Sequence, residues 1–290
     1  MQKIKTAVIP VAGYGTRFLP FTKALPKAML PVVNTPSIQL VIQEAIDSGI
    51  EEIILIVGQH KEIIEGHFSP ANELESVLAS RGSFEYLEKA VYPQKMANIK
   101  YVVQKEQNGT ANAVLLAEEF IKNKPFAVMF GDDVMVSQKP VLKQLIEIYE
   151  REDKTVIGVQ RVGYDNVAKY ASCEFDSSSN GVYNLTKLTE KPDPKLAKSD
   201  LAPLGRYVLR EDFFENIHTL CPGIHGEYQL TDAIAKEIDR KGLLAYEFEG
   251  RRFDMGDTFG FLQANVECAL ENPELKDKMK NYLENLVKKF

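Results

Sequence analysis

The chain reads as an α/β protein built on a doubly wound, mostly parallel, Rossmann-like sheet, and three observations predict this. Short apolar runs at residues 7–12 and 52–58 are rich in β-branched residues and too short for helices, as strands buried on both faces are. Amphipathic helical stretches alternate with these runs. A glycine turn, Gly13 and Gly15, directly follows the first run, at the strand end where open α/β sheets bind ligands.

Residues 7–12 form the first strand. Residues 36–48 form a helix: proline stands at its start, Ile38, Val41, Ile42, Ala45 and Ile46 make an apolar stripe, and Gly49 ends it. The strand at 52–58 then lies parallel to the first through a right-handed crossover. A short helix is expected at 61–68. Residues 69–97 break the rhythm with Glu and Leu at helical spacing and then Pro93, and read as an insertion over one end of the sheet. Strand 99–103, helix 109–122 and strand 125–130 follow, the last ending in Gly131-Asp132-Asp133. Helix 139–150 and strand 155–161 complete this half.

The pattern changes after about residue 163. Short strands bounded by polar residues are expected near 171–175, 183–189 and 202–209, with a turn over 177–181 that gives the first two hairpin geometry. Helices 211–218 and 230–240, strand 243–249, a charged R-R-F-D-M-G-D segment and helix 258–270 come next. The tail from 273 to 290 spaces Leu275, Met279, Leu283 and Leu286 on one helical face. Such a face either docks on its own core or joins subunits, and a homo-oligomer, dimer or tetramer, is expected. The domain reading is one unit over 1–272, its halves meeting near 162, and a C-terminal helix over 273–290.

Hydrophobic residues are 44% of the chain, enough for a sizeable core. The net charge of −6 argues against general nucleic-acid binding, which wants a basic face, but leaves room for a local cationic pocket. Cys173, Cys221 and Cys268 are an odd, scattered set with no C-x-x-C spacing, as in a reduced compartment. No apolar run has the length of a membrane span, and the first residues show no apolar signal segment, so a cytoplasmic protein without membrane partners is expected.

The chemistry concentrates between residues 8 and 31. Backbone N–H groups in a glycine turn make a concave anion site. Arg17, Lys23 and Lys27 follow within a few residues, on a loop stiffened by prolines at 20, 26 and 31. Cations beside a glycine turn suit a polyphosphate. A dinucleotide fingerprint would require glycine at 18, where the chain has Phe18, and the Gly-Lys-Ser/Thr of a P-loop is absent. Asp132, at the end of a buried strand, can hold Mg²⁺, which takes one or two carboxylates plus substrate phosphates. Asp132 and Asp133 point opposite ways in extended chain, and the register between them is open by one. By itself Asp254 reads as a helix cap. No His spacing of metal-ligand type and no Ser/His/Asp or Cys/His arrangement is visible; His60, His67, His218 and His225 read as surface or satisfied core residues.

The string G-x-G-T-R-x-L-P-x-T-K-x-x-P-K-x-M-L-P resembles the signature loop of the nucleotide-sugar pyrophosphorylases. Within them it is most similar to the bacterial UTP–glucose-1-phosphate uridylyltransferases, and the resemblance covers nearly the whole chain. It implies a nucleotidyltransferase core with a nucleotide half, a sugar-side β elaboration and C-terminal helices. The implied reaction is Mg²⁺-dependent transfer of a uridylyl group from UTP to α-D-glucose 1-phosphate. Ala12, Gly13 and Gly15 would approach the nucleotide, and Arg17 and Lys27 would grip the triphosphate. Gln104 and Gly109 would read the base, and Asp132 and Asp254 would hold Mg²⁺. Glu190 would bind sugar hydroxyls, Lys191 the sugar phosphate, and Gly205 would lie against substrate. Residues 109–113 read Gly-Thr-Ala-Asn-Ala, closer to enzymes that make UDP-N-acetylglucosamine, and Ala171 stands where relatives often have glycine. Another sugar 1-phosphate, dTTP, or a non-catalytic nucleotide-sugar sensor are the alternatives.

Overall fold

The structure is a computed structural model that describes residues 2–223 and 226–290, so the expectation for His225 lies outside the described residues. In chain order its elements are β1 (Thr6–Pro10), β2 (Pro31–Val32), β3 (Thr35–Pro36), α1 (Ser37–Asp47), β4 (Glu52–Val57), α2 (Lys61–His67), α3 (Asn72–Ser80), α4 (Phe84–Val91) and β5 (Asn98–Val103). Then come α5 (Thr110–Leu115), α6 (Glu118–Ile121), β6 (Phe126–Met129), β7 (Asp133–Val136), α7 (Val141–Glu152) and β8 (Thr155–Arg161). The second half holds β9 (Ala171–Ser179), β10 (Val182–Glu190), β11 (Leu201–Leu209), α8 (Phe214–His218), α9 (Leu230–Arg240), β12 (Leu243–Glu247), β13 (Arg251–Asp254), α10 (Thr258–Glu271) and α11 (Lys276–Val287).

One nine-stranded sheet in the order β5-β4-β1-β6-β11-β8-β12-β10-β9 forms the frame. Only β11 and β10 run against the other strands, so the sheet is mostly parallel as expected. The chain winds from β1 outward to β4 and β5, then returns to place β6 on the other side of β1. A crevice therefore opens beyond the carboxyl ends of β1 and β6, where the winding reverses. Both faces of the sheet are covered. Ile38, Val41 and Ile42 of α1 pack with Leu142 and Leu145 of α7 on one face; α5, α8 and α9 cover the other. Burial on both sides explains why the parallel strands read as unbroken apolar runs.

Several elements differ from the sequence reading. The expected helix 109–122 is two pieces, α5 and α6, divided at Leu116–Ala117. The expected helix 211–218 begins only at Phe214. Strands β9 and β10 run on to Ser179 and from Val182, joined through Asn180 and Gly181, both at positive φ. Positive φ at both central residues is the turn that matches strand twist in a tight hairpin. The insertion is the helix pair α3–α4. The charged segment before α10 is a strand: β13 pairs antiparallel with β7, placing Asp254 opposite Asp133. Leu30, Val134, Phe253 and Met255 form a small core of their own beneath this ribbon.

Candidate active site

Three loops meet at the crevice. After β1 the chain turns through Gly13, where a Cβ would meet nothing within 4 Å, leaving the backbone open to a ligand. Gly15 has φ +65, and a Cβ there would press on Thr22 Cγ2 at 2.9 Å and Lys27 Cβ at 3.0 Å. The loop is thus folded back on itself, with Thr22 Oγ1 donating to the Gly15 carbonyl at 2.9 Å. That fold carries Lys27 into the crevice. The resulting cavity, of about 390 Å³, is lined by Ala12, Gly13, Tyr14, Lys27, Gln104, Gly109, Thr110, Gly131, Asp132, Glu227 and Gln229. Larger hollows beneath the β9–β10 hairpin and beside α10 hold none of the expected site residues.

Asp132 and Asp133 face different ways, though not as two extended residues: Asp132 lies in a turn closed by the Asp133 N–H on the Phe130 carbonyl at 3.3 Å, and Asp133 opens β7. Asp132 faces the cavity and pairs with the Lys27 ammonium. Burial opposes its ionisation, but the charge and hydrogen bond of Lys27 outweigh burial and hold the carboxyl below its ordinary range. Asp133 turns inward, 5% exposed, where Arg252 Nε donates to its Oδ1 at 2.6 Å. Burial, with Asp132 and Asp254 nearby, pushes it up to about 6 against the pull of Arg252 and Arg206. Gly205 has φ +64, and a Cβ there would lie 2.1 Å from Asp133 Oδ2. The space expected for substrate at Gly205 is thus filled by this carboxylate, and Gly205 does not line the cavity.

Asp254 reaches the site through the β7–β13 ribbon; Met255 N–H donates to the Asp132 carbonyl at 2.8 Å. The helix-cap alternative falls to Asp257, whose Oδ2 accepts from Phe259 and Gly260 N–H at 3.0 Å and opens α10. Asp254 Oδ1 instead accepts from Gly256 N–H at 2.8 Å. A Cβ on Gly256 would lie 2.9 Å from Asp132 Oδ2, 2.9 Å from Asp254 Oδ1 and 3.4 Å from Lys27 Nζ. Two carboxylate oxygens therefore face one shared space that only glycine leaves clear. Among the described residues no group of three or more His, Cys, Asp or Glu side chains is arranged to hold a metal. A cation here has two protein carboxylates and needs further oxygens from a ligand, which is the way Mg²⁺ is held beside phosphates. Arg17 Nη1 donates to the Gly256 carbonyl at 3.3 Å, joining the cationic loop to this turn.

The sugar-side residues stand further off. Glu190 ends β10, and Lys191 follows at φ +42 with its side chain 59% exposed and 3.9 Å from Glu190. Neither lines the cavity. The Lys191 N–H donates to the Tyr170 carbonyl at 2.9 Å. Gln104 is buried at the cavity wall. Gly109 packs so closely on residue 228 that a Cβ would meet its carbonyl oxygen at 2.3 Å. Thr110 Oγ1 accepts from Leu230 N–H at 2.9 Å and so serves the start of α9. Sequence reasoning missed Glu227 and Gln229 as lining residues, and missed Arg252 and Tyr170. The last two sit outside any recognised motif and acquire meaning only from the ribbon.

A glycine-turn nucleotide cleft at a topological switch point, with paired carboxylates and an adjacent lysine, defines an α/β enzyme that acts on a nucleoside polyphosphate. Residues 6–271 match the nucleotidyl transferase family, and the chain belongs to it. It is 44% identical over 286 residues, 99% of each chain, to UTP–glucose-1-phosphate uridylyltransferase of Staphylococcus epidermidis strain RP62A, and 43% identical over the same share to that of Staphylococcus haemolyticus. Among solved structures, the UTP-bound UGPase of Acinetobacter baumannii superposes with a TM-score of 0.90 at 34% identity, covering 98% of this chain and 99% of that one. A UDP-glucose pyrophosphorylase complexed with UDP-glucose gives 0.84 at 35% identity, over 93% of this chain and 100% of the other. No helix among the described residues is long and apolar enough to cross a membrane.

Proposed function

We propose that this nucleotidyltransferase joins UTP to α-D-glucose 1-phosphate, forming UDP-glucose and pyrophosphate with Mg²⁺. The supporting observation is the convergence of the glycine turn, Lys27, Asp132 and Asp254 on one crevice, in a chain 44% identical to relatives of that name over nearly its full length. An oxygen of the sugar phosphate forms a bond to the α-phosphorus of UTP, and the bond from that phosphorus to the bridging oxygen breaks, releasing pyrophosphate. The attacking oxygen is already anionic at neutral pH, so no side chain need remove a proton. The protein's share is alignment and charge stabilisation.

The open backbone at Gly13 lies against the nucleotide, and Gln104 with Gly109 borders the base. Lys27, with Arg17 behind it, offsets charge on the departing pyrophosphate. Asp132 and Asp254 would hold Mg²⁺, which when bound would supply a local positive charge against the triphosphate. From the second half of the chain, Glu190 receives the sugar hydroxyls and Lys191 the sugar phosphate. Pyrophosphate release measured across UTP, dTTP, ATP and GTP against glucose, N-acetylglucosamine and galactose 1-phosphates tests this reading. UTP with glucose 1-phosphate is expected to lead the grid. A stronger response to N-acetylglucosamine 1-phosphate would move the assignment to the other sugar. No release from any pair, together with intact binding of UDP-glucose, would make the protein a sensor.

A further inference from the structure

We propose that Tyr170 and Arg252 are positioning residues that set the metal affinity of the site by holding Asp254, an inference that rests on the metal reading above. Asp254 spends its two oxygens differently. Oδ1 is directed by the Gly256 N–H toward the space shared with Asp132. Oδ2 accepts from the Tyr170 hydroxyl at 3.3 Å and lies 3.2 Å from Arg252 Nη2. One hydrogen bond and one ion pair at the same oxygen oppose rotation about the Cβ–Cγ bond and keep the other oxygen on the cation side. Groups that orient a metal ligand from behind in this way govern affinity almost as strongly as the ligand itself.

The two donors also hold each other. Arg252 Nη1 donates to the Tyr170 hydroxyl at 2.9 Å, and the guanidinium carbon lies 5.0 Å from the Tyr170 ring centroid. Arg252 is 12% exposed and reaches Asp133 with its Nε, so one planar fork spans the two neighbours that flank the metal carboxylates in space. A lysine could satisfy one of these partners but not all three. Tyr170 belongs to the opposite half of the chain: its carbonyl accepts from Lys191 N–H, and β9 begins at the next residue. The backbone of the proposed sugar-phosphate lysine is thus hydrogen-bonded to the residue whose hydroxyl steadies a metal carboxylate.

The test is Mn²⁺ binding to the protein saturated with UDP-glucose, followed by EPR of the free ion with UDP-glucose alone as the blank, for wild type, Tyr170→Phe, Arg252→Lys and Asp254→Asn. Tyr170→Phe removes one hydroxyl and leaves the fold intact, which covers the case in which Arg252→Lys fails to fold. Both variants are expected to weaken Mn²⁺ binding by about tenfold or more. In parallel, the Mg²⁺ concentration giving half-maximal pyrophosphate release should rise in Tyr170→Phe, with kcat recovering at saturating Mg²⁺. A lowered urea midpoint with unchanged Mn²⁺ affinity would make the pair merely structural and overturn the proposal. If Asp254→Asn binds Mn²⁺ like wild type, or wild type binds none, the metal reading of Asp254 itself fails, a result distinct from the first.

Discussion

Glu44→Gln tests the deepest ion pair in the molecule. Arg206, on β11, is 0% exposed, and its fork grips Glu44 of α1: Nη2 donates to Oε2 at 2.7 Å and Nε to both oxygens at 3.1 and 3.2 Å. Its other donors go to carbonyls, Asp133 at 2.7 Å, Gly205 at 3.0 Å and Phe130 at 3.3 Å. Glu44 Oε1 also accepts the Leu142 N–H in the first turn of α7, at 3.0 Å. The amide keeps the shape of the carboxylate and removes its charge, leaving a guanidinium buried among neutral acceptors. Breaking one side of a buried pair costs about 3–5 kcal/mol, a large part of the ~5–15 kcal/mol that holds a domain together. The Leu142 N–H can still be accepted by the amide oxygen, which places the expected loss near the lower end. Glu51→Gln, which breaks an exposed pair with Lys5, is the control and should cost under about 1 kcal/mol. Urea unfolding followed by circular dichroism reads both. A Glu44→Gln loss no larger than that of Glu51→Gln would refute the reasoning, because the three carbonyls would then suffice to hold Arg206.

Asp132→Ala is expected to abolish most pyrophosphate release with an unchanged urea midpoint; wild-type turnover there, with loss in Asp133→Ala, would reverse the roles of the two. Lys27→Ala should lower turnover by roughly 10²–10³ together with UTP use. Lys191→Ala should act on the sugar 1-phosphate while equilibrium UTP binding stays near wild type, and equal loss of UTP binding in both variants would refute the division. Burial holds the His67 imidazole below its ordinary 6.5, so the unfolded chain takes up the proton first and stability is lost as pH falls through and below that value. His67→Gln should flatten the urea midpoint over this window, and an unchanged slope refutes it. Leu275, Met279, Leu283 and Leu286 are half-buried, while Tyr282 and Val287 of the same tail stay exposed. Removal of residues 273–290 is expected to lower the mass in light scattering, and an unchanged mass would exclude this tail from self-association.

The frame was legible because its signals are local. Parallel strands buried on both faces announce themselves as apolar runs, and α1 carries its stripe and its terminal glycine within the reach of one helix. The β7–β13 ribbon was not legible. Asp133–Val136 and Arg251–Asp254 are four residues each, separated by more than a hundred positions, and their pairing leaves no periodic trace in either segment. Arg251 and Arg252 stood in a charged segment with no partner assigned, yet Arg252 is only 12% exposed, enclosed by the partners it neutralises. A charged residue enters an interior only when its counter-charges come from elsewhere in the chain, and a pattern of nearest neighbours cannot register that.

The same distinction runs through the site. Gly13, Gly15, Arg17 and Lys27 lie in one continuous loop, so glycine, proline and cation spacing alone suggested a phosphate site there. Asp132 needed a buried strand before it and the matching family position, and the turn at Gly131-Asp132 that separates it from Asp133 was not read. Gly205 is ambiguous because the sequence shows that a side chain is absent, not what occupies the place. Here the Asp133 carboxylate stands where its Cβ would be. Gly256 is the converse. Nothing in F-D-M-G-D distinguishes it from a turn residue, yet its missing Cβ keeps Asp132 and Asp254 facing the same space. Asp254 was legible only through family resemblance, since its chemistry depends on a ribbon that carries it to the far side of the crevice and on Asp257 taking the helix cap in its place.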